Sequence, residues 1–133
     1  MSDKQHLGWL DQIKWDDKGL VPVITQDVEN NQVLMMAWMN REALVQTVEQ
    51  KLATYWSRSK QRLWTKGEVS GHTQQVHDIY LDCDNDAIVL VVSQKNGIAC
   101  HTGRYSCFYR KLENDAWKEI LPVIKTPGEI YKK

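Results

Sequence analysis

Ala87-Ile88-Val89-Leu90-Val91-Val92 is an unbroken apolar run, short and rich in β-branched side chains. Such a run reads as a buried strand, and the rest of the chain has to be arranged around it. It falls well short of the ~18 consecutive apolar residues of a membrane span, as does every other segment. No internal repeat or low-complexity tract divides the 133 residues, so the expectation is one domain over residues 1–133.

The neighbouring segments extend a β reading. Leu20–Ile24 is a strand candidate, with Pro22 suited to a sheet edge or a strand start. Gln26–Asn31 is turn-like and Val33–Trp38 is a second strand, so the two predict a hairpin. Asn40 is a good N-cap for a helix over Arg41 to Gln50, with Glu42 in its first turn and Ala43, Leu44 and Val48 as its apolar stripe. Thr54–Ser57 and Leu63–Lys66 are aromatic-rich strands around a polar turn near Lys60. Gln75–Leu81 is a strand, and Asn96-Gly97 signals a hairpin whose partner strand starts at Ile98. Tyr105–Leu112 is a further strand, and Ala116–Ile124 is a strand or a short helix. The expected fold is mostly β (α+β), a barrel-like or sandwich sheet with one main helix. Trp9, Trp15, Trp38 and Trp117 are read as core or interface residues without chemistry.

Lys plus Arg number 17 and Asp plus Glu 17. That balance argues against a broad nucleic-acid surface, which needs a basic excess, but permits a local patch for a phosphorylated ligand. The hydrophobic content of 42% fits a globular chain. Met1–His6 has no apolar run behind it, so no signal peptide or lipid anchor is expected and the compartment expected is the cytoplasm.

Asp82-Cys83-Asp84-Asn85-Asp86 sets alternating carboxylates beside the buried run. An EF-hand loop needs Gly at its sixth position and Glu at its twelfth; here stand Ala87 and Ser93, so that reading fails. A Mg²⁺ site and a solvated acidic turn remain open. In an extended stretch, Asp82, Asp84 and Asp86 face one way and Cys83 the other. Cys83 then joins Cys100 and Cys107 or reaches a neighbouring subunit. The three cysteines lie close in sequence, either as buried apolar thiols or as metal ligands. Three thiolates leave one position of a tetrahedral Zn²⁺ open, the mark of a catalytic zinc site. His101 is the adjacent helper base, or else a surface histidine.

Ser57–Arg62 and Trp64–His72 interleave cations, hydroxyls, glycines and an indole. Such a stretch either cradles phosphate beside a stacking face or forms a charged hairpin edge. Thr102-Gly103-Arg104-Tyr105-Ser106 holds an anion or simply turns the chain.

Taken together and in order, three blocks resemble the phosphoribosyl-AMP cyclohydrolase family. They are Ala53-Thr54-Tyr55-Trp56-Ser57-Arg58-Ser59 through Leu63-Trp64-Thr65-Lys66-Gly67-Glu68, then Asp82–Asp86, then Gly97-Ile98-Ala99-Cys100-His101-Thr102-Gly103 through Arg104-Tyr105-Ser106-Cys107-Phe108-Tyr109. The resemblance runs from about Leu20 to Leu112. It implies an enzyme of histidine biosynthesis that opens the adenine ring of 1-(5-phosphoribosyl)-AMP between N1 and C6 with a zinc-activated water. The product implied is the phosphoribosyl-formimino aminoimidazole carboxamide ribotide. It also implies Zn²⁺ on Cys83, Cys100 and Cys107, Mg²⁺ on Asp82, Asp84 and Asp86, and an intertwined homodimer that draws its zinc cysteines from both subunits. His101 matches a histidine implicated in the chemistry, with Glu68 as a second proton mover. Arg58, Trp64, Lys66, Ser70, Gly71, His72, Thr102 and Arg104 are the expected substrate contacts. Tyr105 and His72 depart from the family pattern, where Arg and Asn are frequent. With the chain ending at Lys133, the monofunctional form is expected.

Two other readings share the zinc. A zinc nucleoside deaminase needs H-x-E and P-C-x-x-C segments, and neither is present. A non-catalytic zinc module needs a fourth protein ligand to close the site.

Overall fold

The computed structural model describes residues 8–130; the reading of Met1–His6 lies outside them. The chain runs α1 (Gly8–Asp11), β1 (Val21–Asp27), β2 (Val33–Met39), α2 (Arg41–Gln50), β3 (Thr54–Ser57), β4 (Arg62–Thr65), β5 (Gln74–Leu81), β6 (Ile88–Gln94), β7 (Arg110–Glu113), β8 (Ala116–Glu119) and α3 (Pro127–Ile130). This is the mostly β, α+β architecture with one main helix. Among the described residues the principal sheet has the order β2-β1-β6-β5 and does not close into a barrel.

The apolar run becomes β6, parallel to β1 on one side and antiparallel to β5 on the other. Its neighbour β1 alternates strictly. Val21, Val23 and Thr25 point into the core, while Pro22, Ile24 and Gln26 point out. Pro22 is near the strand start, as expected, but β1 is an inner strand. Pairing with β6 begins only at Val23, so the ladder to β6 does not involve proline.

Helix α2 begins where the cap predicts. The Asn40 side chain accepts the Ala43 N–H at 2.8 Å, and Lys51 ends the helix with a left-handed φ of 60°. Its buried face is Ala43, Leu44, Val45 and Thr47, and the expected Val48 is exposed. Thr47 fastens the helix to β3: its Oγ1 donates to Ala43 O at 2.8 Å and accepts the Thr54 N–H at 3.0 Å.

One side of the sheet, α2 and the β3–β4 hairpin share the core of Val21, Val23, Leu34, Met39, Leu44, Tyr55, Ile88 and Leu90. Tyr55 is fully buried, and its hydroxyl sits 2.7 Å from Thr25 Oγ1 and donates to Gln74 Oε1 at 2.6 Å. A Tyr55→Phe variant strands both partners and is expected to lose about 2 kcal/mol of stability, read as a lower urea midpoint with an unchanged slope.

Among the described residues the other side of the sheet carries an exposed apolar row. Met36, Ile24, Val89 and Tyr80 stand in register across all four strands. Met36, Ile24 and Tyr80 are 43%, 38% and 57% exposed.

After β6 the chain departs from the expected hairpin. Asn96 and Gly97 do adopt positive φ, 63° and 64°. Yet no strand follows at Ile98, because both edges of β6 are already paired to β1 and β5. Residues 98–107 instead coil on themselves. The Cys100 N–H bonds Arg104 O at 3.1 Å, and the Gly103 N–H bonds Cys100 O at 2.9 Å. The strand expected over Tyr105–Leu112 shrinks to β7. Ala116–Ile124 resolves into the four-residue β8, which pairs with β7 across Asn114 and Asp115, both at positive φ.

Candidate active site

The β5–β6 connection carries the aspartates. It is a turn and not an extended stretch, so strict alternation does not describe it. Asp82 Oδ1 accepts the N–H groups of Asp86 at 2.9 Å and Ala87 at 3.2 Å, and Asn85 takes a φ of 69°. The turn brings one carboxylate oxygen each of Asp82, Asp84 and Asp86 within 4.8 Å of one another. The Asp84 and Asp82 carboxyls push the Asp86 pKa above the ordinary aspartate range. The three oxygens have the charge and hardness a divalent cation such as Mg²⁺ requires.

Cys100 and Cys107 come together at the coiled loop. Cys107 is fixed by its N–H on Leu34 O at 2.7 Å, and Ser106 Oγ donates to Val33 O at 2.8 Å, so β2 anchors the segment. Cys107 is exposed as a residue, yet its thiol lies against Cys100. Desolvation there, and then the Cys100 thiol, push its pKa up to about 12. Thr102 Oγ1 lies 3.0 Å from Cys100 Sγ. The Lys66 ammonium is close to both thiols and donates to Ala99 O; burial pushes its pKa down while Cys107 and Cys100 pull it up. Two adjacent thiols suit a soft cation that displaces their protons, which is the donor chemistry of zinc. Cys83 is exposed on the aspartate turn, and no trio of ligands containing it forms among the described residues.

Beside the thiols lies a cavity of about 650 Å³, lined by Ser57, Ser59, Lys60, Arg62, Trp64, Lys66, Gly67, Glu68, Val69, Ser70 and His101. The β3–β4 hairpin builds one wall. Its turn is set by Gln61, at φ 53°, and by the Lys60 N–H bonding Ser57 Oγ at 3.2 Å. Trp64 presents an indole backed by Tyr55, with ring centroids 5.4 Å apart and the Lys66 ammonium 5.5 Å from the Trp64 ring. The loop after β4 demands glycine at position 67: φ is 86°, and a Cβ there would sit 2.5 Å from the backbone of His72 and Thr73.

Glu68 is held as an anion by Arg62, at 2.6 Å, and by the Thr65 N–H, at 2.9 Å; these bonds keep its pKa below the usual range. Its stabilisation is therefore present above the unfolded-state pKa and lost as pH falls through the folded value. The pair is partly solvated, so the expected contribution is roughly 0.5 kcal/mol. Urea unfolding should show Glu68→Gln less stable than the parent at about pH 7, with the gap shrinking as pH falls below the ordinary glutamate range.

His101, Glu68, Trp64, Lys66 and Ser70 thus share one cavity. Gly71 turns the loop at φ 82°. His72 is buried, with its Nδ1 unpartnered and its pKa pushed down by burial. Five expected contacts, Arg58, Gly71, His72, Thr102 and Arg104, are not among the residues that line the cavity. Arg58 lies over Trp38, 4.5 Å from the ring centroid, because the hairpin turn directs it to the opposite side. Arg104 spends its donors internally, on Leu121 O at 3.0 Å and Glu119 at 3.1 Å. The cavity recruits Lys60, Arg62, Ser57 and Ser59 in their place. All four lie in the basic run singled out in sequence, but only the turn decides which of its cations point inward.

Fold and site define a small α+β protein with a cation-lined, indole-walled cavity that His101 links to the thiol loop, suited to an anionic ligand that carries a flat ring. Comparison with known proteins narrows this. A family model described as phosphoribosyl-AMP cyclohydrolase matches residues 35–109, more than half of the chain, and the chain belongs to that family. A phosphoribosyl-AMP cyclohydrolase of Nitrosomonas europaea is 58% identical over 133 residues, 100% of both chains. One of Herminiimonas arsenicoxydans is 58% identical over 128 residues, 93% of this chain and 96% of its own. One of Stutzerimonas stutzeri is 60% identical over 125 residues, 94% of this chain and 95% of its own.

Proposed function

We propose that this chain hydrolyses phosphoribosyl-AMP, opening the purine between N1 and C6, as a step of histidine biosynthesis. The carrying observation is the cavity itself, where Lys60, Arg62 and Lys66 surround the Trp64 indole and His101, the neighbour of Cys100 in sequence, joins the wall. Trp64 stacks on the purine, and the cations take the phosphates. His101, on the cavity wall, moves protons between the attacking water and the departing ring nitrogen. Glu68, on the same cavity and bonded to Arg62, is the second proton mover.

The metals belong to this proposal. Zn²⁺ on Cys83, Cys100 and Cys107 supplies Lewis-acid activation of water, and Mg²⁺ on Asp82, Asp84 and Asp86 supplies charge neutralisation. Cys83 reaches the other two thiols from a second copy of the chain. The exposed row of Met36, Ile24, Val89 and Tyr80 is the apolar face that such a homodimer would bury. The compartment proposed is the cytoplasm; among the described residues no helix is long and apolar enough to cross a membrane.

Mass analysis of the product tests the reaction. Ring opening adds one water to phosphoribosyl-AMP and releases no ammonia. Ammonia in the mixture would instead support the deaminase reading.

A further inference from the structure

Residues 120–126 follow β8 without helix or strand and are almost wholly exposed. Their backbone nevertheless makes a series of bonds to the thiol loop. The Ile124 and Lys125 N–H groups both donate to Gly103 O, at 2.8 and 3.3 Å, and the Ile120 N–H donates to Tyr109 O at 2.8 Å. From the loop side, Arg104 Nε donates to Leu121 O at 3.0 Å, while the guanidinium lies 3.9 Å from the centroid of the Tyr109 ring. Contact at Gly103 is so close that a Cβ there would lie 1.6 Å from Lys125 O, and φ is 89°. The segment buries few side chains, so it contributes little to the core; its bonds converge on the short stretch between Cys100 and Cys107. It also lies past residue 109, where the family match ends.

We infer that residues 120–125 form a strap that holds the Cys100–Cys107 loop in its metal-ready shape, with Arg104 as the positioning residue that fastens it. The inference rests on the zinc reading above. Without the strap, Gly103 loses its outside partners and Arg104 keeps only Glu119 and the Tyr109 ring, so the loop gains freedom and the two thiols stay paired for less of the time. Metal held by them should then leave faster, although no ligand has been altered.

The test uses Arg104→Gln and, from the strap side, Ile124→Pro, which removes one N–H donor without touching the loop. Arg104→Lys serves as a conservative rescue. Zinc release to a chromogenic chelator is timed, and the thiolate-to-cobalt charge-transfer band is recorded after Co²⁺ substitution. Far-UV circular dichroism monitors the fold. Both variants are expected to keep the parental dichroism, to release zinc about tenfold faster, the scale of one lost hydrogen bond, and to show an altered cobalt band. Arg104→Lys should recover part of the slow release. Either folded variant with parental release and a parental band overturns the inference, as does a lower melting temperature with release unchanged. Should one variant not fold, the other decides. A parental protein with no thiolate–cobalt band would overturn the zinc reading itself, and this inference with it.

Discussion

Cys100→Ser is expected to lose zinc and turnover together while the fold survives. Cys100 is 4% exposed and packed in the coiled loop, so an isosteric hydroxyl fits its space. A hydroxyl is a poor zinc ligand, however, because it does not ionise near neutral pH and is harder than thiolate. Losing metal activation removes several kcal/mol of transition-state stabilisation, which corresponds to a fall in kcat on the order of 10³-fold. Metal analysis and a turnover assay on the same preparation check this. A zinc-loaded, fully active serine variant would remove Cys100 from the site.

The Cys83→Ser variant is expected to be as inactive as Cys100→Ser, even though Cys83 is exposed and apart from the other thiols within one chain. If zinc is shared across a two-fold dimer, each site needs Cys83 from one copy and Cys100 with Cys107 from the other. Unfolding Cys83→Ser and Cys100→Ser together and refolding the mixture makes half the dimers hybrid. Each hybrid carries one intact site and one doubly damaged site, so activity should return to roughly a quarter of the parental level. Each variant refolded alone should remain inactive. Failure of the mixture, with both proteins dimeric, would contradict a shared site.

What was legible in sequence was whatever local chemistry decides. Asn40 sets the start of α2 because its side chain bonds three residues on, and the apolar run of β6 has no other place to go. The course of residues 98–109 was not legible. Asn96-Gly97 has the same turn chemistry whether or not a strand follows, and what decides is that β1 and β5, distant in sequence, already occupy both edges of β6. The aspartates converge as expected but for a different reason, since a turn capped by Asp82 replaces alternation. Arg58 and Arg104 show the other limit. Their charge suits a phosphate, but Trp38 and Leu121, brought near only by the tertiary fold, take them elsewhere. Arg62, at the start of β4, reaches the cavity instead.

Turnover of phosphoribosyl-AMP by purified protein, before chelation, after it, and with Zn²⁺ and Mg²⁺ restored, tests the central claim most directly. The account predicts ring opening that disappears on chelation and returns with metal. Folded, metal-replete protein that leaves phosphoribosyl-AMP intact would contradict it.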